Sequence, residues 1–204
     1  MQGRWVRLLA TWGVAPADAY PVFDRLVATY AEPHRHYHTL EHLGEVFRVV
    51  GRLGGTPAVE LAVWFHDAVY DPRAADNEAR SADLVGEWLT PLGLPPGVLR
   101  RAAELVRSTA HLSTESTPSD AEVLALRDAD LAILGASEVR YRRYAADIRR
   151  EYAQVSDADY WQGRVAVLEA FLRRNAIFHH PLMAAEGENA ARRNLLAERA
   201  ELVG

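Results

Sequence analysis

The spacing of apolar residues predicts helices along most of the chain. Between residues 40 and 53 the apolar positions recur at intervals of three and four, at Leu40, Leu43, Val46, Phe47, Val50 and Leu53. This is the period of one face of an α-helix. Gly54-Gly55 predicts the end of that helix and Thr56-Pro57 the start of the next, because glycine favours a helix C-terminus and proline the first helical turn.

The other segments show the same helical period. Residues 59–70 are apolar nearly all round, which predicts a central buried helix. Further helices are expected after the loop that begins at residue 71, over about residues 98–109, in the segment that leads into "LRDADLAILG", and over about residues 188–202 after a break at "HHPLM". Alternating runs bounded by hairpin turns, which are typical of strands, are scarce.

These signals predict an all-α protein with a single domain of eight to ten helices. A chain of 204 residues has the length of one ordinary domain, and neither an internal repeat nor a linker divides it. We expect residues 1–204 to form one helical bundle. In it, a core of about residues 30–135 packs against C-terminal helices of about residues 137–203.

The composition excludes several function classes. A net charge of −5 argues against a nucleic-acid-binding protein, which usually presents a clustered basic face. All 23 basic residues are arginines, so the chain has no lysine for a Schiff base or a P-loop. It has no cysteine either, and any metal ion must be bound by histidine, carboxylate and water. The N-terminal segment is too interrupted for a signal peptide, and no apolar run approaches 18 residues; we expect a cytoplasmic protein without a membrane span.

Two ionisable residues interrupt the most apolar segment. In "AVWFHDAVYD", residues 62–71, His66 and Asp67 stand side by side. Burial of an unpaired charge is costly, so the two residues need partners. Adjacent residues of a helix point about 100° apart. They can therefore converge on one ion only where the helix ends or bends, which Asp71-Pro72 predicts shortly afterwards.

Two further pairs of residues offer partners for this doublet. His38 and His42 are four residues apart and share a helical face if the helix starts early enough. Asp128 and Asp130 stand ahead of an apolar stretch that is expected to be helical. One histidine, the doublet and one distant aspartate make a set of two histidines and two aspartates. Such mixed nitrogen and oxygen ligands favour a divalent ion among Mn²⁺, Fe²⁺, Co²⁺, Ni²⁺, Mg²⁺ and Zn²⁺.

The order of these residues resembles the HD superfamily of metal-dependent phosphohydrolases, which are all-helical proteins. The segments that carry the resemblance are "RHYHTLEHL", "WFHDAVYDP", "DNEARSA" and "DADLAILG". They lie in this order within about residues 30–200 and are similar to an uncharacterised bacterial branch of predicted HD phosphohydrolases. The resemblance implies that His42, His66, Asp67 and Asp130 bind the metal. His38 and Asp128 remain the alternatives for the first and last ligand.

The resemblance also implies candidates for catalysis and substrate binding. Asp67 and Glu78 are expected to orient the attacking water, with Glu78 as a possible general base. Guanidinium groups match phosphate oxygens bidentately, and His111 follows a helix that abuts the site in the family. The expected substrate-binding residues are Arg35, His38, Arg80, Arg107 and His111.

The expected function is metal-dependent hydrolysis of a small-molecule phosphate ester, with a nucleotide as the first candidate. One alternative is an HD-like di-iron oxygenase or lyase, whose additional ligands would come from His38, Asp71 and His111. Another is a non-catalytic, metal-containing ligand sensor. No nucleic acid or membrane partner is expected, and an acidic, helix-rich surface permits a homodimer.

Overall fold

The computed structural model of the protein describes residues 1–110 and 119–203, in which helices are the only regular secondary structure. Within these residues there are ten α-helices and two short 3₁₀ turns, and no strand occurs there. The all-α prediction is therefore confirmed. The helices are α1 (Gln2–Ala10), α2 (Pro16–Tyr30), α3 (Leu40–Leu53), α4 (Pro57–Phe65), α5 (Asn77–Leu89), α6 (Pro96–Arg107), α7 (Ala121–Asp130), α8 (Glu138–Glu151), α9 (Asp157–Leu172) and α10 (Pro181–Val203); the 3₁₀ turns are Thr90–Leu92 and Leu131–Gly135.

Most helix ends follow the signals of the sequence. α3 ends at Gly54, which adopts a left-handed φ of 85° that costs glycine little. The next helix begins after Thr56, whose side-chain oxygen accepts a hydrogen bond from the backbone N–H of Val59. At the start of α7 the carboxylate of Asp120 accepts from the backbone N–H of Glu122 at 2.9 Å. Each contact satisfies a backbone donor that a helix terminus leaves without a partner.

Three predicted segments differ from the structure. The apolar helix expected over residues 59–70 ends at Phe65, so the His-Asp doublet lies just beyond its C-terminus. The apolar segment after Asp130 is a 3₁₀ turn and not an α-helix. The last helix begins at Pro181, because proline fits the first helical turn and need not break a helix there.

The hydrophobic core consists of two clusters. The first surrounds α4, whose residues Leu61 to Phe65 are all buried. The indole of Trp64 meets the rings of Trp5, Phe23 and Phe47 edge-on, with centroids 5.0–6.0 Å apart. Such edge-to-face contacts add to the stabilisation from burial and fix the helix that carries the doublet.

The second cluster joins the C-terminal helices to the segment after Asp130. It contains buried residues of α8, α9 and α10 together with Leu131, Ile133 and Leu134. Where α10 crosses the 3₁₀ turn, a Cβ added to Gly135 would lie 3.0 Å from the Cα of Gly187, so the two backbones approach closely. This packing fixes the turn that follows Asp130. None of the described helices is long and apolar enough to cross a lipid bilayer.

Candidate metal centre

Three helix termini bring the four predicted ligands together. His42 lies in the first turn of α3, His66 and Asp67 follow the end of α4 directly, and Asp130 is the last residue of α7. One donor atom from each residue belongs to a group whose members all lie within 4.8 Å of one another. Because α4 ends before the doublet, the two adjacent side chains can point to the same place.

The ligand atoms form a tight set. Nε2 of His42 lies 3.1 Å from Nε2 of His66 and 3.1 Å from Oδ1 of Asp130. Nε2 of His66 lies 3.0 Å from Oδ2 of Asp67, and the two remaining His–Asp separations are both 3.5 Å. A metal–ligand distance of about 2.1 Å places neighbouring ligand atoms about 3.0 Å apart in octahedral and about 3.4 Å apart in tetrahedral geometry. The observed separations fit one ion.

The hydrogen bonds around these atoms also favour a cation. Nδ1 of His66 donates to the carbonyl oxygen of Val63 at 2.9 Å, so the neutral ring presents its Nε2 lone pair to the other ligands. Oδ2 of Asp67 is buried and accepts no hydrogen bond in this geometry, although Nε2 of His66 is close. A buried carboxylate oxygen without a donor is costly unless a positive charge lies beside it. The residues therefore fit a divalent metal ion.

Without a metal ion, protons balance the charge of the carboxylates. Burial lowers the pKa of His42 and of His66, but the neighbouring Asp67 and Asp130 outweigh it and raise both pKa values above the ordinary one. Burial raises the pKa of Asp67, but the positive charges of His66 and His38 and the closeness of the His42 and His66 imidazoles hold it well below its ordinary value. A metal ion that binds here must displace protons from the imidazoles.

His38 lies beside the cluster and is not one of its four members. Because α3 begins at Leu40, with Thr39 as its N-cap, His38 precedes the helix and does not share a helical face with His42 as the spacing suggested. Its Nδ1 lies 2.7 Å from Oε2 of Glu151. The geometry therefore selects His42 from the first pair of candidates.

Glu151 holds the loop that carries His38. This residue ends α8 and is 2% exposed, and its Oε1 accepts hydrogen bonds from the backbone N–H groups of His36, Tyr37 and His38 at 2.7–3.0 Å. Its Oε2 accepts from the hydroxyl of Tyr70 at 2.8 Å. Burial raises the pKa of Glu151, but the hydrogen bonds and charge of His38 outweigh it and lower the pKa to about 2.

Sequence reasoning missed Glu151, although a signal was present. The apolar positions Tyr144 and Ile148 of α8 are spaced so that residue 151 falls on the same helical face. A glutamate on a buried face is rare unless it is paired. This position therefore indicated a buried carboxylate with partners from another segment.

Asp128 has a structural role that separates it from Asp130. Its Oδ2 accepts hydrogen bonds from the backbone N–H groups of His179 and His180 at 2.8 and 2.6 Å. Burial raises the pKa of Asp128, and these two hydrogen bonds oppose the rise. Asp128 thus anchors the segment that leads into α10, and the geometry selects Asp130 for the metal group.

Arg35 supports the doublet through the backbone. Its side chain is fully buried, and its guanidinium donates to the carbonyl oxygens of Asp67 at 2.7 Å and Ala68 at 3.2 Å. It also donates to Glu32 at 2.9 Å and to the carbonyl of His38 at 3.3 Å. These contacts give Arg35 a positioning role for the turn after α4, in place of the phosphate contact that the sequence suggested.

The structure does not bring the other two arginines to the cluster. Arg80 lies on an exposed face of α5, 3.8 Å from Asp76, and Arg107 donates at 2.6 Å to the exposed Asp83. His111 lies outside the described residues. Asp71, proposed for a second metal site, accepts from the backbone N–H of Arg73 at 2.9 Å and is not part of the four-residue group.

The metal group opens onto a cavity of about 660 Å³. The side chains of His42 and His66 are buried, whereas those of Asp67 and Asp130 are 18% and 16% exposed. Asp130 lines the cavity together with His38 and Glu78. An ion at this site would therefore be enclosed by protein on the histidine side and accessible from the cavity on the side of Asp130.

No known protein family model, curated protein or solved structure matches this chain.

Proposed function

We propose that the protein is a metal-dependent phosphohydrolase that cleaves a phosphate ester of a small molecule. One observation carries the proposal: four nitrogen and oxygen donors converge, and one of the four residues, Asp130, lines a cavity large enough for a metabolite. The resemblance of the His…His-Asp…Asp order to HD phosphohydrolases supports the same reaction. The metal is one of Mn²⁺, Fe²⁺, Co²⁺, Ni²⁺, Mg²⁺ or Zn²⁺, since the site offers two imidazoles and two carboxylates.

The reaction needs a water molecule, an acceptor for its proton and a fixed phosphate group. The water oxygen forms a bond to phosphorus, the bond from phosphorus to the ester oxygen breaks, and that oxygen takes up a proton, which gives an alcohol and inorganic phosphate. A divalent ion in such a site lowers the pKa of bound water and polarises a phosphoryl oxygen. The chain itself supplies the ligand cage and the groups that orient the water.

Two carboxylates are suited to orient the water and accept its proton. Asp67 is held in place because Arg35 binds its backbone carbonyl and His66 lies 3.0 Å from its Oδ2. Glu78 lies in the first turn of α5 and lines the same cavity as Asp130. We assign Asp67 to the metal and to orientation of the water, and Glu78 to acceptance of its proton.

Phosphate release tests this proposal. The protein is stripped of metal, reloaded with each divalent ion in turn, and assayed with a panel of phosphate monoesters that includes nucleotides. We expect release that depends on the added ion, is abolished in Asp67→Asn and Asp130→Asn, and is lowered in Glu78→Gln by about 10²-fold, the ordinary loss for a general base.

The control variant is Asp71→Asn, which removes an exposed carboxylate outside the four-residue group. Under the proposal this variant keeps its phosphate release. A loss of activity as large as that in Asp130→Asn would favour a second metal ion and the di-iron alternative. Absence of ion-dependent release over the whole panel, in protein shown to bind the ion, would contradict hydrolysis and favour a ligand sensor.

A further inference from the structure

The cavity beside the metal group has a wall that is mainly aromatic and aliphatic. Six rings line it, those of Tyr37, Tyr70, Tyr144, Tyr152, Tyr160 and Phe171. Aliphatic side chains of the 3₁₀ turn after Asp130, of α8 and of α9 also line it. A wall of this kind binds flat or apolar groups, because aromatic rings offer large surfaces for stacking.

The wall offers little positive charge to a second or third phosphate. Of its described charged residues, Glu78, Asp130 and Asp159 are acidic, Arg164 is the one arginine, and His38 is the one histidine, with its Nδ1 2.7 Å from the carboxylate of Glu151. The guanidinium of Arg164 is 8% exposed and makes two hydrogen bonds with the carboxylate of Glu198, at 2.7 and 2.9 Å. Its charge is therefore neutralised within the protein.

The three arginines that the sequence suggested for phosphate binding do not line this cavity. The fully buried Arg35 binds backbone carbonyls, while Arg80 and Arg107 face solvent near acidic residues. A nucleoside triphosphate carries several negative charges that such a wall would leave without partners, which is costly. A single phosphate at the metal group has no such cost.

Gly163 keeps part of the cavity free of side chains. It lies inside α9 and lines the cavity, and its φ is not among the positive values of the chain. A Cβ added there would meet no atom within 4 Å. Neither backbone strain nor close packing requires a glycine at this position, and glycine destabilises a helix interior relative to alanine. Gly163 is exposed, so the open space beside it lies where the cavity meets solvent.

Tyr37 joins the cavity wall to the metal group. Tyr37 is 6% exposed, and its hydroxyl has no hydrogen-bond partner among the described residues. Its ring packs 4.7 Å from the ring of His42 and so lies next to the metal group.

We infer that the cavity binds the leaving group of a phosphate monoester, and that this group is uncharged and contains a flat or apolar ring system. The inference rests on the proposed function, because the metal group would hold the single phosphate. The aromatic rings, the open space at Gly163 and the pairing of Arg164 with Glu198 favour a flat, uncharged group as the remainder of the ligand. Nucleoside diphosphates and triphosphates do not belong to this class.

Binding of two phosphonates tests the ring-binding part without any turnover. 1-Naphthylmethylphosphonate and methylphosphonate carry the same head group, and their carbon–phosphorus bonds resist hydrolysis. Isothermal titration of the metal-loaded protein should show at least tenfold tighter binding of the naphthyl compound. Equal affinities, or binding of neither compound, would overturn the inference.

Two glycine variants locate the binding site of the ring. Gly163→Phe should weaken binding of the naphthyl compound at least tenfold and leave that of methylphosphonate unchanged, because the added ring would occupy the exposed edge of the cavity. Gly51→Phe is the matched control: Gly51 is an exposed glycine of α3, also has open space around its Cβ, and does not line the cavity. Unchanged naphthyl binding in Gly163→Phe would contradict the assignment.

A displacement experiment tests the single-phosphate part. At a fixed free concentration of the metal ion, AMP should displace the naphthyl compound at a concentration at least tenfold lower than ATP. Tighter displacement by ATP would overturn the single-phosphate part. Ion-dependent phosphate release with equal phosphonate affinities would refute the ligand class alone, whereas selective phosphonate binding without any release would refute hydrolysis alone.

Discussion

Replacement of Glu151 by glutamine tests how the fold holds the loop next to the metal group. The carboxylate accepts hydrogen bonds from three backbone N–H groups and from the Tyr70 hydroxyl, and it lies 2.7 Å from Nδ1 of His38. Its pKa of about 2, against an ordinary value of 4.5, corresponds to about 3 kcal/mol of stabilisation at neutral pH. Glutamine keeps one acceptor oxygen but has no charge. Its amide NH2 group would replace Oε2 and face the Tyr70 hydroxyl and Nδ1 of His38.

We expect Glu151→Gln to lower the free energy of unfolding at pH 7 by about 3 kcal/mol, measured by urea denaturation of the metal-free protein. A carboxylate with a lowered pKa in the folded protein stabilises it above its unfolded pKa of about 4.5 and loses that effect as the pH falls toward 2. The difference between the wild type and the variant should therefore shrink between pH 5 and pH 3.

The control for this experiment is Glu138→Gln on the same helix. Glu138 is 71% exposed and pairs with Arg142 at 3.0 Å, so its loss should cost less than about 0.5 kcal/mol. The reasoning would be refuted if Glu151→Gln were as stable as this control at pH 7. It would also be refuted if the loss in Glu151→Gln did not change with pH.

Two further predictions concern the metal group and its neighbour. Because the pKa of His66 is raised, its protonation stabilises the metal-free protein below pH 6.5, and this stabilisation is lost as the pH rises through the raised pKa. Metal binding strengthens over the same range, because protons leave the ligands. The difference in Tm between protein with saturating metal and protein in EDTA should therefore widen from pH 6 to pH 8, and a constant difference would contradict this. Asp128→Ala should lower the free energy of unfolding by about 2 kcal/mol, because it removes two hydrogen bonds to a buried carboxylate, and should leave the bound metal unchanged; metal loss without destabilisation would assign Asp128 to the ligand set.

The sequence predicted the helical fold and the four converging residues well, because both depend on local patterns. Apolar spacing and the glycine, threonine and proline signals of α3 and α4 specify those helices and their common boundary. The doublet stood out because burial of ionisable residues requires partners. The spacing and the resemblance then made His42 and Asp130 the preferred candidates, with His38 and Asp128 as the alternatives.

The features that depend on tertiary contacts could not be predicted in the same way. The choice between Asp128 and Asp130 depends on the N–H groups of residues 179 and 180, which lie more than 50 positions away in the chain. Arg35 was a candidate for phosphate binding because it carries a guanidinium group. Only its contacts with the turn after α4 show that its hydrogen-bond donors are already occupied. Pro181 begins α10, because a proline that breaks a helix interior also fits the first helical turn.

Metal binding tests the central claim most directly. Equilibrium dialysis of the metal-stripped protein against Mn²⁺, Fe²⁺, Co²⁺, Ni²⁺, Mg²⁺ and Zn²⁺ in turn, followed by elemental analysis, should give one ion per chain for at least one of these metals. The same measurement on His66→Ala and Asp130→Ala should show that ion lost, since each variant removes one of four ligands. A wild-type protein that binds none of these ions, or variants that retain the ion undiminished, would contradict the account.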